Sequence, residues 1–171
     1  MNGTNQAEED AACRFPAARE PGESVVIMTE LIMPAQANPL NNLMGGQMMH
    51  FMDIAGALAC RRHAGHEVVT VTVERIEFRY PVRVGEVITL TAKLVWAGRT
   101  SMKVKIEVGS ENIRTHTSRL TNTAFFTYVA LDEDRKPIEV PRLVPRTPTE
   151  KADFEREQER YEQRKKKKSE A

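Results

Sequence analysis

Apolar and polar residues alternate along most of this chain, and the period of the alternation changes sharply once. Residues 24–32 (SVVIMTELI) are rich in β-branched side chains and predict a strand, and residues 34–42 (PAQANPLNN) predict a turn-rich loop. Residues 45–63 (GGQMMHFMDIAGALACRRH) then form a long apolar stretch of good helix formers without proline. Gly-Gly precedes it and His-Ala-Gly closes it, which predicts one nearly buried helix. The two-residue period returns in residues 68–78, where Val69, Val71 and Val73 alternate with Thr70, Thr72 and Glu74. Three further strands are predicted over residues 86–96, 100–108 and 115–131. In the second of these Met102, Val104, Ile106 and Val108 alternate with lysines and Glu107, and the last ends in AFFTYVAL. The order is β-α-β-β-β-β, an α+β class. Short links at Tyr80-Pro81 to Gly85, at Ala97-Gly98-Arg99 and at residues 109–112 predict a curved antiparallel sheet. A helix apolar on most sides must be covered by that sheet. No internal repeat is present.

Both ends differ from this middle. Thr147-Pro148-Thr149-Glu150 has the form of a capping box with proline at the first helical position, so a helix should begin there. Acids come early and bases late in it, and only Ala152, Phe154 and Tyr161 offer packing surface, a thin stripe. The expected organisation is a disordered head over residues 1–22, one folded domain over 23–144 and a charged helical tail over 145–171. With 171 residues, 40% of them hydrophobic, one core is the natural outcome. A net charge of +1 disfavours a dedicated nucleic-acid binder. The two cysteines, Cys13 and Cys60, make neither a CxxC pair nor a disulfide framework, which points to a reducing compartment. The first 22 residues lack the apolar run of a secretory signal, and no stretch of about 18 apolar residues could span a membrane. A soluble, cytoplasmic protein is expected.

Asp53 does not fit the apolar helix. On a helical wheel Met48, Met52, Ala55 and Ala59 share one face and Phe51 and Leu58 another, both assigned to the core. Gln47, His50, Asp53 and Ala57 make a narrow third side. A lone carboxylate there is costly unless it pairs, so it either serves a ligand or finds a base such as Arg61 or Arg62. Gly45 and Gly46 open the same helix, where unpaired backbone N–H groups can polarise a carbonyl oxygen. Gly45 and Asp53 are about 12 Å apart by helical rise, too far to serve one small reacting centre. Two copies with crossing or antiparallel helices would bring Asp53 to the other copy's Gly46, which predicts a twofold dimer with interface sites.

The run Asn38-Pro-Leu-Asn-Asn-Leu-Met-Gly-Gly-Gln-Met-Met-His-Phe-Met-Asp53-Ile-Ala-Gly resembles the hotdog-fold acyl-CoA thioesterases of the acyl-CoA hydrolase type. Val68-Val-Thr-Val-Thr-Val, Phe78-Arg-Tyr-Pro-Val-Arg-Val-Gly85-Glu and Gly98-Arg-Thr-Ser-Met-Lys-Val continue the likeness, which covers about residues 23–141. The resemblance implies a long helix wrapped by a five-stranded antiparallel sheet, a homodimer with two interface sites, and often a trimer of dimers. It also implies that Asp53 is the catalytic carboxylate, that Asn38 comes from the opposite protomer, and that the Gly46 N–H points at the thioester carbonyl. One departure is Asn41, which stands where the family has glycine; asparagine is the next most tolerant of left-handed backbone.

The chemistry is consistent with those residue types. Thioester hydrolysis needs a base for water, or an attacking carboxylate, and a donor for the developing oxyanion. Asn38 would orient water or substrate. By the same resemblance the Arg99-Thr100-Ser101 turn lies near coenzyme A, and Arg83 and Gly45 are further candidate contacts. Coenzyme A is part of the substrate, and no separate cofactor or metal is expected, His63 and His66 being too few for a site. His50 and Cys60 are read as packing or interface residues, and the basic run 164–168 as a solvated tail. A hotdog hydratase or dehydratase is an alternative, but it would want a His-x-x-Gly-Asp setting that is absent around Asn38 and Asp53. A non-catalytic acyl-CoA sensor is another. Met48, Met49, Met52 and Phe51 are the candidate walls of an acyl tunnel.

Overall fold

The computed structural model describes residues 17–169, so Cys13 and most of the predicted head lie outside the described residues. In chain order the elements are β1 (Ala18–Arg19), β2 (Val26–Leu31), α1 (Gly45–Ala64), β3 (Glu67–Phe78), β4 (Val87–Ala97), β5 (Ser101–Asn112), β6 (Thr117–Leu131), β7 (Arg142–Leu143) and α2 (Pro148–Ser169). Five strands form one antiparallel sheet in the order β2-β4-β5-β6-β3, and α1 packs on its inner face. α1 ends at Gly65, whose left-handed φ of 68° lets its N–H reach the Arg61 carbonyl. The predicted α+β fold with its long helix and five-stranded sheet is the one observed.

Three local expectations change. β3 does not sit beside β4; it pairs with β6 at the far edge, so residues 79–86 cross the end of the sheet. The last hairpin does not turn at residues 109–112, because β5 runs on to Asn112, past a bulge at Thr121 of β6, and the chain reverses over residues 113–116. The sheet also covers only one side of α1. Met48, Met52, Ala55 and Ala59 are buried as expected, with Phe51, but Leu58, Met49 and Ile54 are exposed.

The ends are more ordered than their composition suggests. Ala18–Arg19 pairs in parallel with Arg142–Leu143, and a 3-10 turn over Pro21–Ser24 follows, so residues 18–22 belong to the fold rather than to a disordered head. The capping box of α2 forms as predicted: Thr147 Oγ1 accepts the Glu150 N–H, and Glu150 Oε2 accepts the Thr147 N–H. The hydrogen bond from Lys93, then those from the Thr147 and Arg146 backbone, hold the Glu150 carboxyl down at about 2. α2 crosses the outer face of the sheet. Phe154 packs there and Tyr161 lies tilted against Trp96, whereas Ala152 faces solvent. The anchor is ionic: Lys103, 1% exposed, donates to both Glu157, 2% exposed, and Glu74 at 2.5 Å each. Arg164 also pairs with Glu74, so the basic run begins on β3 and is not wholly solvated.

Candidate active site

Asp53 lies in the middle of α1, half-buried, on the side turned towards β3. Its Oδ1 accepts a hydrogen bond from Thr70 Oγ1 at 2.6 Å and a longer one, 3.3 Å, from the Tyr128 hydroxyl, which also reaches the Asp53 backbone carbonyl at 3.0 Å. It pairs with neither Arg61 nor Arg62. Arg61 is bonded to Glu67, and Arg62 donates to the Val25 carbonyl.

The hydrophobic pattern assigned Thr70 to the polar side of its strand. Two irregularities in the pairing, at Val71 and at Glu74, break that alternation. Thr70, Val73, Ile76 and Phe78 consequently line up with Tyr128, Phe126, Ala124 and Asn122, the row that faces the helix. Tyr128 is fully buried, and its phenol is pushed above the ordinary range by burial and then by the Asp53 charge. Gly56, one turn after Asp53, makes room for it: a Cβ there would fall 2.4 Å from the hydroxyl. Neither Thr70 nor Tyr128 carries a signal in the sequence, since both owe their place to register.

Asn38 organises its own loop. Its Oδ1 accepts the Leu40 N–H at 2.9 Å and the Asn42 N–H at 3.2 Å, and Asn41 adopts the left-handed φ of 58° that the sequence anticipated. The loop is tied to the residues crossing the sheet end, Leu43 N–H to the Val82 carbonyl and Val84 N–H to that of Asn41. Between them lies a cavity of about 280 Å³ whose walls include Asn38, Met48, Phe78 and Asn122 but not Asp53. Asn122 Oδ1 is buried there without a partner among the described residues. α1 begins beside this cavity with no side chain capping it, and a Cβ at Gly46 would meet nothing within 4 Å, so its first turn stays open.

The predicted site residues therefore divide between the two ends of the sheet. Asn38, Gly45, Gly46 and Arg83 gather at one end, Arg83 flanking the loop beside Asn41 and Asn42. The Arg99-Thr100-Ser101 turn belongs to the other, where Ser101 pairs with Val129, next to the row that joins Met102, Tyr128 and Thr70. Arg99 is exposed and 3.7 Å from Glu139. His50 is exposed on α1, and burial raises the thiol of Cys60. His63 is committed to structure: Nε2 donates to the Pro141 carbonyl at 2.8 Å, and the Ser24 hydroxyl lies 3.2 Å from Nδ1.

Comparison with known proteins decides what this arrangement belongs to. The family model of the thioesterase superfamily matches residues 40–117. An acyl-CoA thioester hydrolase of Bacillus subtilis, itself uncharacterised, is 35% identical over 79% of this chain and 78% of its own. The chain belongs to the hotdog-fold acyl-CoA thioesterases. A crystal structure of a hexameric acyl-CoA thioesterase is 35% identical and superposes with a TM-score of 0.83 over 88% of this chain and 96% of its own. The acyl-CoA hydrolase of Staphylococcus aureus, solved with butyryl coenzyme A, is 27% identical, with a TM-score of 0.80 over 90% of this chain and 93% of its own. Alanine variants of that enzyme have been solved at an aspartate, at an asparagine fifteen positions before it and at a threonine seventeen positions after it. The same intervals separate Asn38, Asp53 and Thr70.

Proposed function

We propose that the protein hydrolyses acyl-CoA thioesters to the free acid and coenzyme A at sites shared by two copies of the chain. The observation that carries this reading is Asp53: a half-buried carboxylate on an otherwise apolar helix, held by Thr70 and in step with Asn38. In this scheme Asp53 acts as general base on water. The partner's Gly46 N–H, at the open start of its helix, receives the charge that develops on the thioester oxygen, and the partner's Asn38 orients the water.

The need for a partner follows from the uncovered surfaces. β3 is an edge strand, with Val69, Val71 and Val73 exposed, Val71 by 58%. Beside it α1 exposes Met49, Ile54 and Leu58. Apolar side chains in such number on an edge strand call for a covering surface. If two β3 edges pair antiparallel about a twofold axis, the Thr70 end of one copy lies beside the Phe78 end of the other. Asp53 then meets the open helix start and the Asn38 loop that its own chain holds at the opposite end. Three such dimers would make a hexamer, the assembly size of the hexameric relative, and a trimer of dimers is the proposed form. Arg83, Gly45 and the Arg99-Thr100-Ser101 turn are the proposed contacts for coenzyme A, its phosphates suiting the two guanidinium groups.

Release of free thiol from a panel of acyl-CoAs tests the activity directly. Asp53→Asn should lower turnover by about 10²-fold or more, the worth of a positioned base. A variant that keeps more than about a tenth of the wild-type rate removes Asp53 from that role.

A further inference from the structure

Tyr128 is a buried titratable group that the scheme above leaves unused, and its surroundings are built for its hydroxyl rather than its ring. Phenylalanine would fill the same core position beside Phe126 without needing a polar partner. The chain instead places glycine at position 56, unfavourable in mid-helix, where an alanine methyl would lie 2.4 Å from the hydroxyl and 3.0 Å from two ring carbons. The hydroxyl's single hydrogen is shared between the Asp53 carbonyl at 3.0 Å and Asp53 Oδ1 at 3.3 Å. Thr70 donates to the same Oδ1 at 2.6 Å. Both donors converge on one carboxylate oxygen, Oδ1, and neither bonds Oδ2.

We propose that Tyr128 is a positioning residue for the hydrolysis: together with Thr70 it pins Oδ1 of Asp53 and so presents Oδ2 to the water it deprotonates. The inference rests on Asp53 being the base. The phenol remains a donor throughout the working range, because burial and the neighbouring carboxylate both oppose its ionisation. The other titratable group that acts on it is the Cys60 thiol, and β3 presents Thr70, which does not titrate.

The test is Tyr128→Phe in the full-length protein, a change of one hydroxyl, with Gly56→Ala as a second route to the same displacement. Tyr128→Phe should keep the assembly state and thermal transition of the wild type. Its kcat should fall about tenfold with KM nearly unchanged, and the acid limb of kcat/KM should move up by about one pH unit, since a carboxylate that loses a donor holds its proton more firmly. Gly56→Ala should shift the acid limb the same way. A role in packing alone would alter the thermal transition and leave the pH profile unmoved, and that result overturns the inference. Asp53→Asn measured alongside separates the two ideas. If it stays active, the assignment of the base fails; if it is inactive while Tyr128→Phe keeps the wild-type profile, only the role of Tyr128 fails.

Discussion

Asp53 and His63 stand ten positions apart on one helix, and burial puts them to opposite uses. Thr70 and Tyr128 bond only one oxygen of Asp53, whereas both ring nitrogens of His63 are occupied by Pro141 and Ser24. A carbonyl can only accept, so Nε2 carries the proton and the neutral ring takes the Ser24 hydroxyl at Nδ1. Burial lowers the His63 pKa from its ordinary 6.5, and the unfolded chain therefore binds a proton at higher pH than the native one. The stability this ring contributes is complete above that value and is lost as pH falls from 6.5 towards the native pKa. Thermal unfolding followed from pH 7.5 to 5.5 should show the transition falling, with a shallower fall in His63→Gln, which has nothing to protonate there. Equal slopes in the two proteins would assign the pH dependence to other groups. At this scale Asp53 was legible because a carboxylate interrupts an apolar run. Tyr128 was not, because a tyrosine at the end of an apolar strand looks like core until its hydroxyl is located.

At the scale of the element, α2 shows how charge can dock a helix that apolar pattern leaves weakly attached. Lys103 alternates correctly for an outward-facing strand residue, yet α2 covers it and supplies Glu157, while Glu74 approaches from β3. Burial raises the Glu74 carboxyl, and the hydrogen bonds from Lys103 and Arg164 outweigh that, leaving it below its ordinary range. Two buried opposite charges attract no better than well-packed apolar residues would, but removing Glu157 leaves the buried Lys103 with Glu74 alone. Glu157→Ala should therefore destabilise the protein by about 1–3 kcal/mol in urea unfolding, Lys103 keeping Glu74, and the double replacement Lys103→Met with Glu157→Leu should recover most of it. A loss under about 1 kcal/mol in Glu157→Ala would mean that water reaches Lys103 in solution and that the ionic anchor is not buried. The capping box made the start of α2 readable, since its residues are contiguous. Its docking face was not, because the Lys103 that receives Glu157 lies on β5, 54 positions away, and is shared with Glu74 of β3.

On the scale of the whole molecule, the chain holds the two halves of the proposed site at opposite ends of one sheet and leaves the surface between them apolar and exposed. Inactive Asn38→Ala and inactive Asp53→Ala subunits, mixed and allowed to exchange, should regain part of the wild-type thiol release, because a mixed dimer contains one site with both residues intact. No recovery after verified exchange would place both residues in one protomer or deny Asn38 a part. The amino-acid sequence by itself determined the β-α-β-β-β-β order, the helix with its misfit carboxylate, the left-handed Asn41 and the cap of α2, because each depends on neighbours within a few positions along the chain. Only the tertiary structure decided that β3 leaves β4 for the far edge, that its bulges turn Thr70 towards Asp53, and that one side of α1 remains uncovered. Those outcomes depend on which distant strands pair and in what register, and a shift of one residue in a strand exchanges its two faces while the local pattern reads the same.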